Sequence, residues 1–228
     1  MSDTAREDAR MAKITDIGTR IELVPMDGHF SDITVALYRQ ATTDGHIFLV
    51  HTYSCREGAS RRIERIAETV AALGGLEPTS QGRLRFPCGA EHNLAVRRAF
   101  LEACKHDPSA PLAALSMTTR DRKSGLTIDV DSLGDGQYRV RASGDDPEGQ
   151  AARRVGVIVN GLLKLGEMRR VEDAKGMTED CVAFECGCAH DALTGLLLLR
   201  APNVRAIVRE QEAMAARGTL SAPSARAK

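Results

Sequence analysis

The chain has 228 residues and a mass of 24.6 kDa, which is enough for one large domain or two lobes of about 100 residues each. Its 31 Lys and Arg residues balance its 31 Asp and Glu residues, and this neutrality argues against a DNA-coating protein, whose binding domain is normally strongly basic. The apolar content of 43%, with 4% aromatic residues, predicts a soluble globular α+β protein with an aliphatic core.

The termini and the cysteines indicate the compartment. No apolar run reaches the roughly 18 residues that a membrane-crossing helix needs, and the polar start MSDTAREDARMAK lacks the apolar segment of a secretion signal. The six cysteines are therefore expected as reduced thiols in the cytoplasm. Residues 1–14 and 217–228 are expected to be mobile tails, because they have few apolar side chains.

The first half of the chain is predicted to contain three strands, a helix, a fourth strand and a last helix. Asp-Gly dipeptides, which favour hairpin turns, separate the strands. The first helix is amphipathic, since its apolar residues recur with a period of 3.6 residues. The predicted elements are strands Arg20–Met26, Ile33–Gln40 and Ile47–Tyr53, a helix within Arg61–Gly75, strand Arg83–Cys88 and a helix that starts at Asn93.

Lys105–Pro111 contains two prolines and is predicted to be the boundary before a second half. Alternating apolar residues in the second hairpin predict a three-residue loop, Gly134–Gly136, with Asp131 opposite Arg139 and Asp129 opposite Arg141. The elements predicted for this half are strands Ala114–Arg120, Leu126–Asp131 and Gln137–Ala142, a helix capped by Asp146, strand Cys181–Cys186, a helix from Asp191 that breaks at Pro202, and an amphipathic helix Asn203–Arg217.

The two halves also resemble each other in sequence. RRIERIAETVAALGG at Arg61–Gly75 aligns with RRVGVIVNGLLKLGE at Arg153–Glu167, and LRFPCGAEHN at Leu84–Asn93 aligns with VAFECGCAHD at Val182–Asp191. The extra residues of the second half fall in a turn. These alignments predict an internal duplication about a pseudo-twofold axis, with lobe 1 at residues 15–106 and lobe 2, plus an extra helix, at residues 107–216.

Each lobe is thus expected to have the order β-β-β-α-β-α, which resembles the half-domain of the ribosomal protein S5 domain-2-like fold. Duplicated versions of that unit occur in imidazoleglycerol-phosphate dehydratase and in the zinc-dependent deacetylase of lipid A synthesis. Those families carry His-rich and Glu-bearing metal motifs on their helices, and this sequence has no HxxxE or HHxxE motif there. No site residue is therefore transferred, because a fold alone does not assign a function.

The motif Cys-Gly-x-x-His occurs twice, once in each lobe, where the fourth strand meets the last helix. Backbone N–H groups and the helix dipole at such a junction favour a thiolate. If the two junctions face each other, Cys88, His92, Cys186 and His190 form a tetrahedral zinc set, with Cys188 as a spare thiolate. A thiol-based catalytic site stays open as an alternative. So does a purely structural motif, since cysteine is often buried and glycine permits a tight turn.

Other charged residues are weaker candidates for ligand binding. The pairs Arg61-Arg62 and Arg153-Arg154 head the first helix of each lobe, where they would hold a phosphate or carboxylate or form a solvated face. Glu91 faces an alanine in the other motif copy and would give an asymmetric site one carboxylate. His46 follows an Asp-Gly turn and is expected to be an exposed turn residue.

These observations favour a cytoplasmic protein that binds a small molecule or a transition metal, zinc being the expected cofactor, at the interface of its repeats. Such a site would suit a metal- or thiol-dependent enzyme. One alternative is a homo-oligomeric scaffold, indicated by the apolar stretches Val155–Leu165 and Leu193–Leu199. Another is an RNA- or ribosome-associated protein. Neither DNA nor a membrane is an expected partner.

Overall fold

Two five-stranded antiparallel sheets, each accompanied by two helices, make up the part of the chain that the computed structural model describes. That part comprises residues 18–26, 33–54, 58–79, 83–107, 110, 112, 115–122, 124–171, 179–206 and 209. The predicted α+β class is confirmed, and the molecule is roughly two-lobed.

The two halves have the same order of elements. In the first half, β1 to β3 are followed by helix α1, the short strands β4 and β5, and helix α2; the second half runs in the same way from β6 to α4. The first-half bounds are β1 Thr19–Pro25, β2 Thr34–Thr42, β3 Gly45–Thr52, α1 Ala59–Gly74, β4 Glu77–Pro78, β5 Leu84–Arg85 and α2 Asn93–Lys105. Those of the second half are β6 Thr118–Arg120, β7 Thr127–Gly134, β8 Gln137–Ser143, α3 Ala151–Gly166, β9 Met168–Arg170, β10 Glu179–Phe184 and α4 Asp191–Arg200.

Strand order is also the same in both sheets, β1-β2-β3-β5-β4 in the first and β6-β7-β8-β10-β9 in the second. The order β-β-β-α-β-α predicted from sequence omits β4 and β9. These strands have two and three residues, and the segments that contain them carry turn residues rather than a strand pattern. Each half therefore has the order β-β-β-α-β-β-α.

The register predicted for the β7–β8 hairpin is confirmed, with Asp131 opposite Arg139 and Asp129 opposite Arg141. The predicted three-residue loop is wrong in detail, because Gly134 pairs with Gln137 and the register shifts between Ser132 and Gly134. A two-residue turn and a bulge thus replace the loop, and both turn residues have the positive φ angles that tight hairpins require.

Helix α3 begins at Ala151, five residues after its predicted cap, Asp146. Gly149 has a φ angle of 63°, which interrupts the helical path between these two positions. The Asp146 carboxylate still accepts hydrogen bonds from the backbone N–H groups of Gln150 and Ala151, at 2.6 and 2.8 Å. The cap predicted from sequence therefore acts across a turn.

Helices from the two halves pack against each other, α1 on α4 and α2 on both α3 and α4. The inner faces of both sheets pack on these helices, so the two halves share one hydrophobic core. The apolar residues of α3 and α4 that suggested a docking surface are mostly in this core. Half-buried Val157 and Leu199, which is 47% exposed, lie outside it.

Helix α2 ends at Lys105, where the lobe boundary was predicted to begin. Several predicted features lie outside the described residues: the Asp27-Gly28 turn, Cys55, both terminal tails and most of the helix Asn203–Arg217, of which residues 204–206 are helical. Among the described helices, none combines the length and apolar character that crossing a membrane requires.

Candidate metal centre

The structure brings the cysteine and histidine of both Cys-Gly-x-x-His motifs together. The ligand atoms of Cys88, His92, Cys186 and His190 all lie within 4.8 Å of one another. Within each motif, Sγ lies close to Nε2, at 3.4 Å for Cys88 and His92 and at 3.3 Å for Cys186 and His190. Each half of the molecule therefore contributes one sulfur and one imidazole to a group that could hold a metal ion such as zinc.

The spacing of the motif follows from a tight turn after the last strand of each sheet. The backbone N–H groups of Gly89 and Gly187 donate to the carbonyls of Phe86 and Phe184, at 3.0 and 3.1 Å. The φ angles of these glycines are 71° and 72°, a left-handed conformation that side chains disfavour. The turn places the cysteine at its centre and the histidine immediately before the helix.

The same turns direct backbone donors at the sulfurs. The N–H groups of Ala90 and Cys188 each lie 3.4 Å from the Sγ of the cysteine two residues earlier, Cys88 and Cys186. An N–H donor stabilises a thiolate more than a neutral thiol. The local backbone thus favours the form of sulfur that binds metals.

Two phenylalanines enclose the imidazoles from both sides. Phe86 lies 4.9 Å from the His92 ring and 5.4 Å from the His190 ring, and Phe184 makes the reciprocal contacts at the same distances. All four contacts are edge-to-face, and the two imidazole centroids are 4.7 Å apart. Both histidines are nearly buried, whereas both cysteines are half-buried. The rings therefore face the core and the sulfurs lie nearer to solvent.

Burial keeps both imidazoles neutral. It lowers the pKa of His92 to about 4, with a further contribution from neighbouring His190, and it also lowers the pKa of His190. Burial raises the pKa of the Cys186 thiol, and the nearby Cys88 sulfur adds to that effect. A neutral imidazole can donate its lone pair to a metal, and a divalent cation would remove the cost of ionising two adjacent thiols.

The sulfur–nitrogen distances within each motif suit one tetrahedral ion. With Zn–S bonds of about 2.3 Å and Zn–N bonds of about 2.0–2.1 Å, a tetrahedral site separates sulfur from nitrogen by about 3.6 Å. The observed Sγ–Nε2 separations of 3.4 and 3.3 Å are close to that value. Four protein ligands fill a tetrahedral shell, so this arrangement leaves no open position for a substrate.

Tyr138 makes the two sides of the centre different. Its hydroxyl accepts a 2.6 Å hydrogen bond from the His190 N–H and donates at 3.0 Å to the Asp191 carboxylate. Burial raises the pKa of Tyr138 to about 12, so the hydroxyl stays protonated. Phe48 occupies the corresponding place in the first sheet, where a hydroxyl is missing, and the backbone of His92 there has a φ angle of 39°.

Sequence reasoning did not assign a role to Tyr138, Phe86 or Phe184. The coincidence of Phe86 with Phe184 in the repeat alignment is a signal for a shared role beside the motif. Tyr138 counts as one apolar residue in an alternating strand, and nothing in that pattern indicates its contact with a backbone group 52 residues away.

Glu91 lies outside the four-residue group. It forms an ion pair with Arg39, lies 3.1 Å from Nε2 of His46, and accepts a 2.7 Å hydrogen bond from Asn93. The prediction that His46 is an exposed turn residue is wrong, because His46 lies in β3 and its side chain is 24% exposed. Its backbone N–H donates to the Gly89 carbonyl at 3.1 Å. Glu91 and His46 thus fasten the first motif to the β2–β3 hairpin.

The remaining cysteines that the structure describes lie outside the four-residue group. Cys188 is exposed, whereas Cys104 and Cys181 are buried. Burial raises the pKa of Cys104 to about 12, as expected for an unreactive packing residue.

In each arginine pair, the first residue is exposed and the second makes a polar contact with a neighbouring segment of the chain. Arg61 and Arg153 are exposed. Arg62 donates to the carbonyls of Cys104 and His106, both at 3.3 Å, at the end of α2. Arg154 instead forms a 3.0 Å ion pair with Asp121.

Between the two halves, where sequence reasoning expected a pocket, lies a hollow of about 390 Å³. It is lined by α1, by the start of α4 and by residues of the connecting segment. None of the four clustered ligands lines it.

Comparisons of the chain with protein-family models, with curated proteins and with solved structures found no match.

Proposed function

We propose that the protein binds one zinc ion through Cys88, His92, Cys186 and His190, and that the ion fastens the two halves of the chain together. The observation that carries this proposal is the convergence of four ligand atoms, two from each half, within 4.8 Å. A complete shell of protein ligands is typical of structural zinc rather than catalytic zinc. The ion therefore stabilises the arrangement of the halves and performs no reaction.

The chemistry of the ligands supports zinc over other metals. Tetrahedral sites with two sulfurs and two nitrogens are typical of zinc, whereas magnesium and calcium prefer oxygen ligands. Two thiolates and one divalent cation have no net charge, which limits the cost of placing them beside the rings of Phe86 and Phe184.

We also propose that the two halves arose by internal duplication. Shared strand order, the aligned motifs and the reciprocal Phe–His contacts support this origin. A single Cys-Gly-x-x-His motif supplies two ligands, which is half of a tetrahedral shell. Both halves are therefore required for one complete site.

The metal content of the purified protein tests the proposal. We expect about one zinc per chain after purification without chelator, and less than a tenth of an equivalent in C88S and C186S. The matched control is C188S, which removes an exposed thiol outside the cluster and should retain the metal. Zinc content of the wild-type protein below a tenth of an equivalent, even after incubation with zinc, would refute the proposal.

Substitution of cobalt for zinc gives an independent test of the geometry. Tetrahedral cobalt with thiolate ligands has intense visible absorption together with a sulfur-to-metal charge-transfer band. We expect both in the wild-type protein and in C188S, and neither in C186S. An octahedral spectrum in the wild-type protein would contradict the proposed ligand set.

A further inference from the structure

A cavity of about 480 Å³ lies within the second half of the molecule, and none of the four clustered ligands lines it. Strands β6 and β7, helix α3 and the end of α4 form its walls. The volume is within the range of about 300–1,000 Å³ that is usual for small-molecule sites. This cavity is separate from the metal centre, so zinc binding does not account for it.

One part of the lining is positively charged. Arg120, Arg122 and Arg154 contribute three guanidinium groups, and Asp121 is the one acidic residue of the lining. Arg120 and Arg122 are exposed, and their charges are not balanced by other residues of the lining. The cavity therefore attracts anions.

The ion pair with Asp121 holds the guanidinium of Arg154 in place. Asp121 itself accepts hydrogen bonds from the N–H and the hydroxyl of Ser124. The Asp121 oxygen lies against Nε of Arg154, and Gln150 accepts from one terminal nitrogen at 3.5 Å. A guanidinium has five N–H donors, so this fixed group keeps donors that can serve a ligand.

The equivalent arginine of the first half, Arg62, lines a separate hollow of about 430 Å³. Arg62 and Arg154 are each the fourth residue of their helices. One terminal nitrogen of Arg62, Nη2, donates to two carbonyls at the end of α2. In the second half, α4 continues into a 3-10 turn at Ala201–Asn203, and the cavity lies beside Arg154.

Apart from Thr119 and Asn203, the rest of the lining is apolar. Val157 is half-buried, and Leu199 and Pro202 are exposed. A small inorganic anion would leave these side chains in contact with water. A ligand that fits both parts has an anionic head and an apolar body of several carbons.

We propose that this cavity binds an organic anion, with its carboxylate, sulfonate or phosphate beside Arg120 and Arg154 and its apolar body against Val157, Leu199 and Pro202. The proposal joins the charged and apolar linings in one site. It does not depend on zinc, because the two sites have no residue in common.

The probe for this site is 8-anilinonaphthalene-1-sulfonate, an anion whose fluorescence rises in apolar surroundings. The zinc-loaded protein should bind one equivalent, and octanoate should displace it. N-phenyl-1-naphthylamine, which has the same rings without the sulfonate, should bind at least about fivefold more weakly, as expected for loss of a charge-assisted contact.

Two variants test the site residues without breaking the ion pair of Arg154. R120A removes an exposed charge of the lining, and L199E places a like charge at the rim; each should weaken dye binding about fivefold or more. The control R153A removes the same charge from an exposed residue outside the cavity and should leave binding unchanged. Melting temperatures of all three variants establish that they are folded.

Unchanged dye affinity in both R120A and L199E would overturn the proposal. Equal affinity for the sulfonate and the neutral analogue would overturn it as well, because the arginines would then have no role. Zinc content is measured in the same samples. A variant that loses dye binding but retains zinc has a damaged anion site and an intact metal centre, so the two sites can be judged separately.

Discussion

Each ligand of the metal centre depends on a neighbour that is not itself a ligand. The two phenylalanines confine the imidazoles, and backbone N–H groups of the turns point at the sulfurs. Tyr138 fixes the backbone of His190 through its hydroxyl. On the other side, where Phe48 is the residue equivalent to Tyr138, His92 adopts a left-handed conformation, which is strained for a residue with a side chain. The two histidines are thus positioned by different means.

The hydroxyl of Tyr138 can be tested separately from its ring. We expect Y138F to fold normally, since Phe48 fills the equivalent place in the first sheet, but to bind zinc about tenfold more weakly. Losses of about 10–100-fold are usual when a group that orients a metal ligand is removed. Competition with a chromophoric chelator measures this affinity. Y53F, which alters a tyrosine with 57% exposure, is the control. Equal zinc affinities of Y138F and Y53F would show that the hydroxyl does not orient His190.

At the scale of elements, the turn after β5 and the turn after β10 have one backbone conformation in two different surroundings. A methyl group added at Gly187 would meet no atom within 4 Å, whereas one added at Gly89 would lie 3.1 Å from the Asp44 carbonyl oxygen. The difference arises because the β2–β3 hairpin places the Asp44 carbonyl beside Gly89, whereas Gly136 of the β7–β8 hairpin lies against the backbone of Cys188.

This difference predicts unequal effects of the same substitution. We expect G187A to lower the free energy of unfolding by about 1 kcal/mol, the cost of a left-handed alanine. G89A should cost more, because the same conformational penalty is joined by contact with the Asp44 carbonyl. Denaturant unfolding of the zinc-loaded proteins measures both. Equal destabilisation would mean that the hairpin does not pack tightly on the first motif.

Elements with a strong local pattern were predictable from the sequence. The β7–β8 register follows from alternation. Helices α2 and α4 start at Asn93 and Asp191 as predicted, but these residues are not the caps, because His92 and His190 occupy the N-cap positions and make no side-chain cap hydrogen bond. Contacts between distant residues were not predictable in this way. The Glu91–Arg39 pair joins positions 52 residues apart, and no periodicity within either segment specifies it. Likewise, the apolar faces of α3 and α4 indicate burial but not which helices cover them.

The whole molecule combines one shared core with a site divided between its halves. Helix contacts between the halves and the four-ligand group join the same two parts of the chain. An ion that binds only when both motifs face each other must favour the folded arrangement over every arrangement that separates them. Bound zinc would therefore stabilise the same state as the core, and the halves should unfold together.

Zinc removal should accordingly lower the stability of the entire chain. At free zinc of about 100 times the dissociation constant, binding stabilises the folded state by about 2.7 kcal/mol, which corresponds to a rise in melting temperature of roughly 5–10 °C. Because burial raises the pKa of the Cys186 thiol, zinc must displace a proton, and the stabilisation should shrink as the pH falls. Calorimetry of the zinc-loaded and the chelator-treated protein at a series of decreasing pH values measures the effect. The variant C186S should not respond to zinc. Two separate transitions in the zinc-loaded protein, or equal melting temperatures with and without zinc, would show that the ion does not join the halves.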